Sequence, residues 1–97
     1  MKIVFTDSAF SDLEAIREYY LEEGVPNVGE EFVISIISHV QTLKQHPDIG
    51  RLVPEFDNPK IRELIHSPFR VVYFREKTVV HIVRVWRSER ILVSPDE

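Results

Sequence analysis

"PFRVVYFREKTVVHIVRVWRSER", residues 68–90, is the stretch whose reading fixes the architecture. β-Branched and aromatic side chains fill Phe69–Arg75 and Thr78–Trp86, and Glu76-Lys77 interrupts them. That is the pattern of two antiparallel strands joined by a tight turn. With a two-residue turn, Arg75 faces Thr78 and Val72 faces His81. One face then carries Arg70, Val72, Phe74, Val79, His81, Val83 and Val85, and the other Val71, Tyr73, Arg75, Thr78, Val80, Ile82, Arg84 and Trp86. Glu-Lys is poor chemistry for the tightest hairpin turn, so a longer loop with a one-residue shift is the alternative. Both faces are apolar along their middle. One has to meet helices, which leaves the other as a partly apolar surface edged with arginine.

The same stretch holds Arg70, Arg75, Lys77, Arg84, Arg87 and Arg90 in a chain of net charge −4. The charge is divided along the sequence. Residues 1–49 carry three cations against nine acids, a net −6, whereas residues 60–90 carry eight cations against three acids, a net +5. An acidic chain is unsuited to coating nucleic acid, but a local basic surface is suited to phosphates or to an acidic partner peptide.

Upstream, Lys2 to Phe5 reads as a short strand, and Thr6, Asp7 or Ser8 can cap the helix that follows. Phe10, Leu13, Ile16, Tyr20 and Leu21 recur at helical spacing, until Gly24 and Pro26 stop the run. Asn27 with Glu30 is a weak capping box for a second helix, whose apolar face is Phe32, Val33, Ile36, Ile37, Val40 and Leu43 and which Pro47 closes. The segment "PDIGRLVPEFDNPK", residues 47–60, reads as an irregular connection, in which Gly50 supplies a positive φ and Arg51 reaches the last helical carbonyls or the sheet. Ile61 to Ile65 is a further strand. The expected fold class is α+β: an N-terminal strand and an antiparallel helical hairpin packed on a small, mainly antiparallel sheet.

Ninety-seven residues suit one domain, residues 1–97, able to bury about 60 to 65% of its unfolded surface. Without cysteine there is neither a disulfide nor a thiolate metal site. His39, His46, His66 and His81 share no ligand spacing, so no metal and no cofactor are expected. His81 interrupts an apolar strand, and His66 is first a turn residue and only second a candidate base. The N-terminus has too short an apolar run for a signal or a membrane span, which points to a soluble cytoplasmic protein. Tyr73 reads as a packed aromatic with its hydroxyl at a rim.

Five segments in this order, "DLEAIREYY" (residues 12–20), "HPDIGRLVPE" (46–55), "IRELI" (61–65), "PFRVVYF" (68–74) and "VVHIVRVWRSER" (79–90), resemble the RelE/ParE superfamily of toxins from type II toxin-antitoxin systems. The resemblance implies a growth-inhibiting toxin neutralised by a cognate antitoxin, in a hetero-oligomer with it. Two mechanisms come with it: ParE-like poisoning of DNA gyrase by protein contact, and RelE-like cutting of mRNA on the ribosome without metal. For the second, Arg70 matches the phosphate-stabilising arginine of the nucleases, with Arg62 and Arg87 as further candidate catalytic cations. The match fails at the C-terminus, where those nucleases carry a tyrosine or histidine and this chain reads "ILVSPDE". That departure and the acidic balance favour gyrase. For the antitoxin, the sequence offers Arg84, Trp86, Arg87 and Arg90, since Trp and Arg are the residue types that anchor interfaces. In this reading the arginines form a cationic groove shared by antitoxin and target.

Overall fold

The computed structural model describes residues 1–88. Its elements are β1 (Lys2–Phe5), α1 (Asp7–Glu22), α2 (Pro26–Gln41) with a 3-10 turn at Thr42–Lys44, β2 (Arg51–Leu52), β3 (Ile61–His66), β4 (Phe69–Arg75) and β5 (Val79–Arg87). The strands form one sheet in the order β1-β5-β4-β3-β2, with β1 parallel to β5 and the other pairings antiparallel. This is the expected α+β arrangement of two helices on one sheet. β2 is an addition, a two-residue edge strand inside the connection that sequence reading takes as irregular.

The helices form where the apolar spacing places them. Thr6 caps α1 by accepting a hydrogen bond from the Ala9 N–H at 3.2 Å, and Gly24 turns the chain at φ 83°, where a Cβ is strained. α2 starts differently from expectation: Pro26 occupies its first turn after Val25, with no side-chain cap. Glu30 is therefore not a capping partner; it accepts a hydrogen bond from Arg17 of α1 at 2.9 Å. Ala9, Leu13 and Ile16 from α1 and Val33, Ile36, Val40 and Leu43 from the second helical segment meet Leu64, Phe69, Val71, Tyr73, Val80, Ile82 and Val85 of the sheet. Burying one such large aliphatic or aromatic side chain contributes about 1.5 to 3 kcal/mol.

The β4–β5 register corrects the two-residue Glu76-Lys77 turn. Arg75 pairs with Val80 and Tyr73 with Ile82, two positions beyond the expected partners, and the Glu76 N–H donates to the Val79 carbonyl to close a Lys77-Thr78 turn. A slip of two keeps each side chain on its face. Further along, a bulge opposite Val72/Tyr73 inserts Val83, after which Val72 pairs with Arg84 and Arg70 with Trp86. Beyond the bulge the faces exchange. Val85 joins the helix-facing core, while Arg84 and Trp86 move to the outer face with Arg70 and Val72.

The connection after α2 is fastened from beneath. Tyr73 is fully buried, not at a rim: its hydroxyl donates to the Pro47 carbonyl at 2.8 Å and accepts from the Gly50 N–H at 3.0 Å. Burial pushes its phenol above the ordinary value. Gly50 has no positive φ, which Gly24 alone shows among the described glycines. Its constraint is contact: a Cβ there would lie 2.6 Å from the Tyr73 hydroxyl and 2.7 Å from the Glu63 carbonyl oxygen. Gly50→Ala is accordingly expected to cost about 1 to 3 kcal/mol by overpacking, read as a lower urea midpoint at unchanged m. A midpoint equal to that of the wild type would mean that the connection shifts freely and is not held by Tyr73.

Candidate functional site

The arginines of the C-terminal half are, for the most part, ion-paired with acids supplied by the N-terminal half and the connection. Arg70 lies on the outer face of β4 with its side chain 5% exposed. Its Nη1 donates to Glu63 Oε1 at 2.9 Å, and its Nη2 donates to Glu55 Oε2 at 3.0 Å. Arg51 Nε takes the other Glu63 oxygen at 2.6 Å. Burial works against the Arg70 charge, but Glu55 and Glu63 together outweigh it and hold its pKa above the ordinary value. Glu55 is held below the ordinary carboxylate value, chiefly by its hydrogen bond from Arg70. Arg70 Nε is buried with no partner among the described residues, so the guanidinium is not fully satisfied even here.

Arg62 occupies the opposite face of the sheet from Arg70. The alternation along β3 turns Glu63, not Arg62, toward Arg70, as the cross-strand row Glu63–Val72–Arg84 shows. Arg62 donates to the Gly50 carbonyl at 2.8 Å, and Arg75 donates to Asp48 at 2.8 Å, both tying down the connection. Arg87 is on the helix side, with its guanidinium 5.3 Å from the Phe69 ring centroid and Nη1 donating to the Tyr20 hydroxyl at 3.3 Å. Thus Arg70, Arg62 and Arg87 are not gathered into one cluster. Arg90 lies outside the described residues.

Arg84, Trp86 and Arg87 do come together, at the rim of an open groove of about 490 Å³ between α1 and the end of β5. α1 contributes Asp12, Ile16, Tyr19 and Tyr20, and β4 contributes Phe69. Asp12 organises this end. Its two oxygens accept from Arg84 Nε at 2.8 Å and Nη2 at 2.9 Å, and Oδ2 also accepts from the Val85 N–H at 2.8 Å. The guanidinium carbons of Arg70 and Arg84 lie 5.2 and 5.1 Å from the Trp86 ring centroid, within cation–π range. The result is an aromatic surface with cations held in place around it. Such a surface is suited to an amphipathic chain with acidic groups, and its described residues bring no general base and acid together.

Sequence reasoning missed Glu55 and Asp12 as the partners that fix the arginines. Asp12 carried a signal: it sits on the edge of the Ala9, Leu13, Ile16 stripe, where a carboxylate requires a cation from the sheet. Glu55, in a proline-rich segment, carried none. The histidines hold a second surprise, since His39 and His66 bring their Nδ1 atoms to 2.9 Å. His81 instead faces Phe74 and lies 3.2 Å from Glu76. Among the described residues no three His, Cys, Asp or Glu side chains are grouped as metal ligands, and no helix is long and apolar enough to cross a membrane.

Comparison with known proteins adds to this geometry. The family model described as the ParE toxin of the type II toxin-antitoxin system parDE matches residues 3–92. A chain from the chromosomal ParDE TA system of P. aeruginosa is similar at 27% identity and a TM-score of 0.76, covering 90% of this chain and 95% of that one. The YoeB/ParE toxin from Agrobacterium tumefaciens shares the fold at 18% identity and a TM-score of 0.62, covering 90% of this chain and 98% of that one. No curated protein sequence matches the chain.

Proposed function

As the chain belongs to the ParE toxin family of type II toxin-antitoxin systems, with an antitoxin as the partner that this family implies, we propose that it arrests growth in the cytoplasm by binding and poisoning DNA gyrase, and not by cutting RNA. The observation that carries this choice is the state of Arg70. Phosphodiester cleavage with a ribose 2′-OH needs a base, an acid and cations free to meet the developing phosphorane. Arg70 is instead buried against Glu63 and Glu55, and each terminal nitrogen already donates to a carboxylate. An incoming phosphate would have to displace two anions and would meet their repulsion as it did so. Arg62, on the other face of the sheet, cannot assist it.

The groove between α1 and β5 is the surface for the antitoxin in this reading. An amphipathic segment laid over Tyr19 and Trp86 buries apolar area, and its acids meet Arg84 and Arg87 at the rim. Arg84 is already neutralised by Asp12, which holds the guanidinium in position and limits what it adds to affinity. The apolar and aromatic contacts therefore supply most of the binding.

Target choice is tested on the unmodified protein. Growth arrest on induction is expected to come with inhibition of supercoiling by purified gyrase, and primer extension on mRNA from the same cells should show no cuts within codons. Cleavage of translating mRNA in the ribosomal A site would overturn the gyrase reading whatever the supercoiling assay gave. Normal growth at verified expression would leave a protein that only binds its antitoxin.

A further inference from the structure

We propose that His39 and His66 form a proton-controlled latch between the end of α2 and the end of β3, closed while the pair holds no more than one added proton and opened by the second. The other hydrogen-bond directions follow when the Ser35 hydroxyl proton lies on the Phe32 carbonyl, the one neighbour of that hydroxyl that can only accept. The Ser35 hydroxyl donates to the Phe32 carbonyl at 3.0 Å, so its oxygen is left to accept from His66 Nε2–H at 2.9 Å. His66 Nδ1 is then a lone pair, and the His39 Nδ1–H fills it across 2.9 Å. In the neutral state every one of these groups is satisfied, and His39 Nε2 is left as an acceptor on a half-buried residue.

A proton carried on His39 Nε2, which lies outside the Nδ1 contact, breaks none of these bonds. A second must go to His66 Nδ1, where it meets the Nδ1–H of His39. Two donors and two cations then face each other with no acceptor between them, and the bridge between helix and sheet is lost. The surroundings give that second charge no relief. Opposite His66 on β4 stands Phe69, and beyond it on β5 is Arg87, a further cation, with its guanidinium against the Phe69 ring and the Tyr20 hydroxyl of α1. On β3 the same face carries Leu64 and then Arg62. Among the described residues neither imidazole has a carboxylate partner. Burial, and after it His39, hold the His66 pKa below its ordinary value.

The direction of the pH effect follows from this. Above about pH 6.5 an unfolded imidazole is itself neutral, so unfolding takes up no proton and the latch contributes fully. Below that value the unfolded chain binds a proton that folded His66 resists. Stability then falls as pH falls, until the lower folded-state pKa is passed. The Phe32 ring of the same helical turn packs on Phe69 at 5.2 Å, and Phe69 lines the groove, so an open latch loosens the groove's inner wall.

The test uses the full chain. Long-range 1H–15N spectra of the imidazoles are expected to show His66 as the Nε2–H tautomer at neutral pH and titrating below its ordinary value. In melts at about pH 7 and pH 5, His39→Gln, which removes the opposing cation, is expected to lose less than about half the Tm that the wild type loses. Ser35→Ala serves as a second variant: with its acceptor gone, His66 should move toward the Nδ1–H tautomer. A single ordinary titration of His66 near about 6.5, or equal Tm losses in wild type and His39→Gln, overturns the latch.

Discussion

Arg70→Met is expected to lower the unfolding free energy by about 3 kcal/mol, a large part of the stability of a domain this small. The Glu63 side chain is 0% exposed, and without Arg70 its carboxylate keeps, among the described residues, a single partner, Arg51, which is itself 56% exposed. Glu55, at 45% exposure, simply rehydrates. The cost thus resides in Glu63, and the surviving Arg51 bond keeps it at the lower end of what a broken buried pair commonly costs. The double variant Arg70→Met/Glu63→Leu is expected to recover most of the loss, because two apolar side chains need neither charge nor acceptor. Urea unfolding of the two singles and the double gives the coupling energy directly. A loss below about 1 kcal/mol in Arg70→Met would show that the pair is loosely held. Arg70 would then be available to a phosphate, and the structural argument against RNA cleavage would weaken with it.

How the charge-divided sequence folds explains what sequence reading reached and what it did not. Periodicity located both helices and the three long strands because each buries one face, and burial leaves a period in the sequence. Pairing leaves less. The hairpin slipped by two, and the bulge at Val83 sent Arg84 and Trp86 to the face opposite their expected one, because nothing in a run of Val and Ile marks where an extra residue is accommodated. The opening imbalance of charge was legible, but its use was not. A net −6 half and a net +5 half suggested an external acidic partner. Part of that complementarity is instead internal, through Asp12 with Arg84 and Asp48 with Arg75, while Arg70 is paired by Glu55 of the connection and by Glu63 of the basic segment itself. Gly50 illustrates the same limit. Its sequence context suggested a turn conformation, whereas the constraint is the Tyr73 hydroxyl, 23 positions away in the chain.

Trp86→Ala is expected to weaken binding of the cognate antitoxin by 2 kcal/mol or more, about 30-fold in Kd, while leaving the fold intact. The ring lines the groove and covers two guanidinium groups that have carboxylate partners of their own. Removing it therefore strips apolar contact area from the interface without orphaning a charge: Arg70 keeps Glu63 and Glu55, and Arg84 keeps Asp12. Arg87→Glu is the comparison. It introduces a repelling charge at the rim, where solvent screens it, and is expected to cost less at physiological salt and more at low salt. Calorimetric titration of antitoxin into each variant separates the two, with circular dichroism as the check on folding. If Trp86→Ala left Kd within about threefold of the wild type while Arg87→Glu abolished binding, charge and not the aromatic surface would dominate. If neither changed it, the antitoxin must lie elsewhere, and the outward side chains Ile34 and Ile37 of α2, 59% and 37% exposed, become the next surface to alter.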